Sequence, residues 1–146
     1  MITLIPITIN DVEKLEGSSY GLMPIDKKLQ MISASEREIH DGRFFKFFII
    51  NDGDETVGYL NICGQTDTVA SISPEIKKEF RRNGFAFKGI KQAINYLKVK
   101  GYQMLFHEVK EENLPSVELH RKLGFSYVKD YVNRRGNKVR IYVKVI

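Results

Sequence analysis

The sequence predicts an α/β fold: a mixed sheet of about seven strands with helices on both faces. Three observations predict it. Short β-rich runs and helix-period stretches follow one another in the order β-α-α-β-β-β-α-β-α-β-β. Apolar residues recur at spacings of three and four at Ala86, Ile90, Ala93, Ile94 and Leu97, which marks one long helix. The tetrapeptide Asn51-Asp52-Gly53-Asp54 joins two β-rich runs, and Asn and Gly accept the positive φ that a tight hairpin needs.

Taken in order, TLIPITIN alternates and predicts a strand, and NDVEKLEGS predicts a short helix capped by Asn10 or Asp11. Residues 24 to 40 predict a second helix, with Pro24 at its entry and Ile25, Leu29, Ile32 and Ile39 as its apolar positions. RFFKFFII and ETVGYLNICG form the predicted hairpin, and TVASISP an adjacent strand. The long helix stops at Gly101. YQMLFHEV reads as a buried strand. NLPSVELHRKLG reads as a short helix with Pro115 in its first turn and Gly124 at its end. FSYVKDYV and KVRIYVKVI, joined by NRRGN, close the chain as a hairpin.

A chain of 146 residues predicts a single domain that buries roughly two-thirds of its unfolded surface. The one cysteine, Cys63, excludes an internal disulfide and reads as a packed thiol. No apolar run approaches the roughly 20 residues of a membrane span, and the opening residues lack the basic leader of a secretion signal. A cytoplasmic protein with no membrane partner is the expectation. His40 and His107 show no metal-ligand spacing with Cys63, so no metal is expected.

The charge is uneven. Between Lys77 and Lys91 stand six Lys or Arg and one acid, a local excess equal to the net +5 of the whole chain. Such a patch suits an anion, nucleic acid or a phosphorylated cofactor, unless it is only a solvated helix face. Its centre, Arg81-Arg82-Asn83-Gly84-Phe85-Ala86-Phe87-Lys88-Gly89, admits two incompatible readings. Gly84-Phe85-Ala86-Phe87 matches the middle of an RNA-stacking strand. The flanks do not match, since Asn83, Lys88 and Ile90 stand where a basic residue, a Val and an aromatic belong. Helical spacing from Ala86 to Leu97 also leaves that strand no room, so no nucleic-acid partner is expected. A phosphate-cradling loop fits better: Gly84 lets backbone approach closely, Ala86 keeps the first helical turn uncrowded, and Arg81 and Arg82 supply charge.

Arg81-Arg82-Asn83-Gly84-Phe85-Ala86, then Glu108-Val109, then Asn113, Ser116, Lys122, Gly124 and Phe125 together resemble the GNAT superfamily of N-acetyltransferases. That family carries Q/R-x-x-G-x-G/A before a long helix, then N-x-x-A/S-x-x-x-Y-x-K-x-G-F. The resemblance covers roughly residues 56 to 146. It implies acetyl-CoA as co-substrate, held by Arg81, Arg82, Asn83, Gly84, Phe85 and Ala86. It also implies backbone of Ile72 and Ser73 pairing with the pantetheine arm like an added strand, with an amide there polarising the thioester carbonyl. Asn113 would touch that arm or an ordered water, although Asn113 and Ser116 are also placed to cap the helix they begin. A homodimer, common for the fold, is compatible with the resemblance.

Two positions depart from the family. Six residues separate Pro74 from Arg81, a longer connection than usual, and His120 stands where the family has a Tyr that protonates the leaving thiolate.

A primary amine with a pKa of about 10 is mostly protonated at neutral pH, so a general base would help it attack. Glu108 is the candidate. It falls in register with Tyr102, Met104 and Phe106 at the carboxyl end of a strand, where burial would raise its pKa, and some members of the family place a base Glu there. The other reading is a carboxylate merely emerging at a strand end. His120 shares a helix face with Val117 and Leu123 and would point inward, as an imidazolium acid or as a structural core histidine. Tyr127 and Tyr131 are alternative proton donors. The resulting expectation is an N-acetyltransferase acting on a small-molecule or peptide amine by direct attack, with a non-catalytic acyl-CoA-binding module as the alternative.

Overall fold

In the computed structural model, which describes residues 1–146, the chain builds one seven-stranded sheet of order β1-β2-β3-β4-β5-β7-β6. The strands are β1 (Ile2–Pro6), β2 (Phe45–Asp52), β3 (Glu55–Gly64), β4 (Val69–Ile76), β5 (Met104–Lys110), β6 (Ser126–Val132) and β7 (Lys138–Val145); the helices are α1 (Ile25–Arg37), α2 (Phe85–Val99) and α3 (Leu114–Lys122). Only β4 and β5 are parallel, as a strand–helix–strand crossover through α2 requires.

The helices cover both faces. On one side Ile90, Ala93, Ile94 and Leu97 of α2 meet Phe48, Leu60, Ile62, Ala70, Ile72, Leu105 and Val109, and Leu123 and Phe125 at the end of α3 extend the same core. On the other, Ile32 of α1 and Leu15 pack on Phe47, Ile49 and Tyr59. Strand alternation assigns each side chain to its side. At about 25 cal/mol per Å², fully burying one such Ile or Leu stabilises the fold by roughly 1.5–3 kcal/mol.

Some elements differ from their expected form. Residues Ile9–Leu15 make a 3-10 helix rather than an α-helix, and Thr8 is its N-cap; Asp11 instead accepts a hydrogen bond from the Thr8 N–H at 2.9 Å. The segment is only seven residues long, and its inward residues Val12 and Leu15 are three apart, the spacing that a 3-10 helix aligns. Helix α1 stops at Arg37 because Glu38 turns left-handed at φ 57. The long connection after Pro74 is largely ordered: β4 continues to Ile76 and Lys78–Phe80 form a 3-10 turn. The RNA-strand reading ends here as well, since Phe85 and Phe87 lie in the first turn of α2 and pack on the core.

One irregularity sets up the site. Tyr127 pairs with Tyr142 but Lys129 pairs with Ile141, so Val128 is a bulge and β6 changes faces across it.

Candidate active site

Strands β4 and β5 pair only at Val69↔Met104, Ala70↔Leu105 and Ser71↔Phe106. Beyond that point they part. Ile72 and Ser73 remain paired with β3, at Ile62 and Asn61, while His107 and Glu108 remain paired with β7, at Tyr142 and Ile141. The β5-facing edge of β4 therefore has no partner strand from Ile72 onward, and a cleft opens at the carboxyl ends of two parallel strands. Unpaired strand edge of this kind can bind an extended chain through its backbone groups.

Eight residues separate the end of β4 from the start of α2. Its N-cap is Gly84, in the left-handed region at φ 74, and no side chain caps the helix. The first-turn amides are thus left without a side-chain acceptor, and the helix dipole adds partial positive charge. Arg81, Arg82, Asn83 and Gly84 are all exposed. Arg82 is also left-handed, at φ 68. The turn is held internally: Arg81 donates from Nε to the Ile76 carbonyl at 3.2 Å, and Asn83 donates from Nδ2 to the Phe80 carbonyl at 3.1 Å. Asn83 is therefore engaged in shaping the loop, while the guanidinium of Arg82 points charge at solvent around four consecutive exposed residues. Phe85 and Phe87 fasten the helix start to the core, with Ala86 half-buried between them. This arrangement can hold an anion by backbone N–H groups and neighbouring cations together.

Asn113 is the N-cap of α3, its Oδ1 accepting from the Ser116 N–H at 3.2 Å. Asn113 does the capping and Ser116 is the residue capped. Ser116 has a different part as well, because its carbonyl accepts from His120.

His120 does point inward and is completely buried, against Phe125 and Tyr142. Its Nδ1 lies 2.7 Å from the Ser116 carbonyl and its Nε2 lies 2.7 Å from Nδ1 of His107. A carbonyl only accepts, so His120 carries its proton on Nδ1, and its Nε2 accepts from the Nδ1–H of His107. Both nitrogens are spent. Burial lowers the His120 pKa, and burial followed by the neighbouring His120 lowers that of His107 to about 3. Of the two readings of His120, these contacts and the lowered pKa favour the structural core histidine over the imidazolium acid. The sequence reading missed the part of His107. The available signal was alternation along β5, which puts His107 on the core side with Leu105 and Val109.

Glu108 alternates to the opposite side. It is exposed, not buried among apolar neighbours as expected. Its Oε1 accepts a hydrogen bond from the Tyr131 hydroxyl on β6. That bond to the carboxylate raises the Tyr131 pKa above its ordinary value. Tyr127 lies on the other face, edge-on to Tyr142, so of the two tyrosines only Tyr131 meets Glu108. Cys63 is half-buried, and burial pushes its thiol upward, away from the thiolate.

A concavity of about 370 Å³ lined by His40, Arg43, Phe44, Cys63 and Gln65 lies at the far end of β3, away from Glu108. No group of three or more His, Cys, Asp or Glu is placed to hold a metal ion, and no helix is long and apolar enough to cross a membrane.

No curated protein matches the sequence. Solved structures do match. The chain is similar to the spermidine N-acetyltransferase from Vibrio cholerae in complex with CoA and spermine, at 18% identity and TM-score 0.80, covering 99% of this chain and 95% of that one. It is similar to RimL, the ribosomal L7/L12 alpha-N-protein acetyltransferase in complex with coenzyme A, at 13% identity and TM-score 0.84, over 99% and 94% of the two chains. It is also similar to mutant forms of the spermidine/spermine N-acetyltransferase SpeG from Vibrio cholerae, at 20% identity and TM-score 0.77, over 99% and 95%. The model of the acetyltransferase (GNAT) family matches residues 10–125, which takes in the α2 loop, Glu108 and the whole of α3. The chain belongs to the GNAT acetyltransferase family and is an acetyl-CoA-dependent N-acyltransferase.

Proposed function

We propose that this protein is a single acetyltransferase domain, spanning residues 1–146, that moves an acetyl group from acetyl-CoA to a primary amine by direct attack in a ternary complex. The carrying observation is the cleft beyond Ser71 and Phe106, with the Glu108 carboxylate two residues past the last β4–β5 pair. The pantetheine arm lies along the backbone of Ile72 and Ser73, with an amide there polarising the thioester carbonyl. The phosphates sit on the α2 amides, with Arg81, Arg82, Asn83, Gly84, Phe85 and Ala86 forming the cradle. Asn113 and Ser116 hold α3 against the other wall.

In the reaction the amine lone pair forms the C–N bond, the C–S bond breaks with its electrons on sulfur, and the amine's surplus proton passes to Glu108. An exposed carboxylate suits that task as an acceptor in contact with solvent, able to shed the proton again. The thiolate, whose conjugate acid has a pKa near 8.5 if it resembles cysteine, takes its proton from water at neutral pH. His120 holds the site through His107 and Ser116 instead of supplying that proton.

The acceptor is a small-molecule or peptide amine. Polyamines and protein N-termini, the acceptors of the similar structures, head the panel to test, and a homodimer is the assembly to look for by light scattering. With any acceptor that turns over, Glu108→Gln is expected to lower kcat/KM by about 10²-fold or more while acetyl-CoA binding by calorimetry stays within twofold. Turnover unchanged in Glu108→Gln would remove Glu108 from the role. Acetyl-CoA binding with no turnover across the panel would favour a non-catalytic acyl-CoA-binding module.

A further inference from the structure

An exposed glutamate has three rotatable side-chain bonds, and nothing in β5 itself holds the Glu108 carboxylate in one place. The neighbouring strand does not hold it either, because β7 offers only Val139, Ile141, Val143 and Val145 on that face. The partner comes from one strand further out. Glu108 stands opposite Ile141, and Tyr131 of β6 stands opposite Val139, so the two flank β7 on one face, two residues apart along it. Strands lie about 4.8 Å apart, so the gap across β7 is about 10 Å, a span that a tyrosine and a glutamate close together. The Tyr131 hydroxyl donates to Oε1 of Glu108.

This meeting depends on the bulge. Continued without interruption from Tyr127↔Tyr142, the pairing of β6 would set Tyr131 opposite Lys138, on the face of Tyr142 and away from Glu108. The extra residue Val128 moves the register by one, so that Tyr131 pairs with Val139 and turns to the Glu108 face. A one-residue shift reverses every later side chain, and bulges near active sites re-aim side chains in this way.

We propose that Tyr131, carried to this face by the Val128 bulge, is a positioning residue for acetyl transfer: its hydroxyl fixes Oε1 of Glu108 and leaves Oε2 to receive the proton of the acceptor amine. This rests on the reading of Glu108 as the base. The charged groups of the same face are Lys110 on β5, Lys129 on β6 and Glu75 on β4, with Arg134 in the turn after β6 acting on the Tyr131 hydroxyl. None of them makes a hydrogen bond or ion pair with Glu108; the Tyr131 hydroxyl does.

The test is Tyr131→Phe in the full chain, with acetyl-CoA and the best acceptor of the panel, and Tyr127→Phe as a control from the opposite face. Losing the hydrogen bond should free the Glu108 carboxylate to rotate away from the acceptor amine. It should lower kcat by about five- to tenfold and leave the KM for acetyl-CoA unchanged. Independently of turnover, Glu108→Gln should lower the midpoint of the Tyr131 hydroxyl titration, followed by NMR of labelled tyrosine. A kcat within twofold of the parent, or a Tyr131 midpoint indifferent to Glu108→Gln, overturns the proposal. If Glu108→Gln keeps full turnover the base assignment itself has failed; if it loses turnover while Tyr131→Phe behaves as the parent, only the positioning role has.

Discussion

His120 uses both ring nitrogens inside the protein, and that makes it a stability determinant with a pH signature. The folded-state pKa values of His107 and His120 are depressed, that of His107 to about 3, against an ordinary value near 6.5 in the unfolded chain. Between about pH 3 and 6.5 the unfolded chain therefore binds protons that the folded chain refuses. Stability rises with pH across that window and is lost as pH falls through it, with a slope of up to about 1.4 kcal/mol per pH unit for each histidine. The carboxyls of Asp11 and Glu38, whose pKa values are lowered from 3.8 and 4.5, add their loss only as pH falls below those ordinary values. Urea midpoints measured from pH 7 to 4.5 should fall steadily. His107→Phe should flatten the fall, at a cost of about 1–3 kcal/mol at pH 7, because His120 Nε2 loses its donor. An equal slope in both proteins would contradict the neutral pair. Inward direction at position 120 was legible from its helix face, since Val117 and Leu123 share it. The lowering of its pKa was not legible, because it comes from burial that only folding completes, with His107, thirteen residues away, brought against its Nε2. Glu108 shows the converse: alternation gave its face, but whether that face is covered depends on distant segments, and from β6 only the Tyr131 side chain reaches it.

Among the elements, the start of α2 has the most direct consequence for binding. Gly84 sits at φ 74, and a Cβ added there would meet nothing within 4 Å. Gly84→Ala is thus a test of backbone conformation alone, costing about 1–2 kcal/mol in stability. Gly84→Asp adds something different. A carboxylate at an N-cap position accepts the first-turn amides for itself and places negative charge where the phosphates of acetyl-CoA would sit. The expected result is a folded protein whose acetyl-CoA affinity is at least tenfold weaker for Asp, against a few-fold for Ala, by calorimetry. Equal affinities in the two variants would take the cofactor away from this helix end. This element was legible because its residues act locally: the 3.6-residue period from Ala86 to Leu97, the stop at Gly101 and the glycine before the first turn are all short-range. Other elements escaped for the same reason in reverse. The bulge at Val128 and the insertion of β7 between β5 and β6 are pairing choices between distant segments, and a β-rich run of seven residues carries no mark of its neighbours.

For the whole molecule, the sheet is two blocks joined at a narrow seam. Strands β1 to β4 form one block and β5, β7 and β6 the other, meeting through three register pairs, with two further backbone bonds from Gln103 and Met104 to the Thr68 carbonyl. Helix α2 packs on β1, β3 and β4 of the first block, and the apolar core it shares with Leu105, Val109, Leu123 and Phe125 also joins the two. A ligand lying along Ile72 and Ser73 and reaching the α2 amides would bridge the cleft that the seam leaves open. It would bind the folded chain and have no site on the unfolded one, so its effect on stability follows from mass action. At acetyl-CoA concentrations of 100 times Kd the gain is about 2.7 kcal/mol. For a chain of this size that corresponds to a rise in Tm of roughly 6–10 °C. Because six of the seven charged residues from Lys77 to Lys91 are basic, the rise should shrink at constant ligand concentration as salt goes from about 0.05 to 0.5 M, while the ligand-free Tm changes much less. Amide exchange should slow in residues 72–76 and 107–110 and at the start of α2. The β1–β2 pairing, remote from the cleft, is expected to be unaffected below global unfolding. A rise that is indifferent to salt and to Gly84→Asp, with protection appearing instead around His40, Arg43 and Gln65, would place the cofactor in the concavity at the far end of β3.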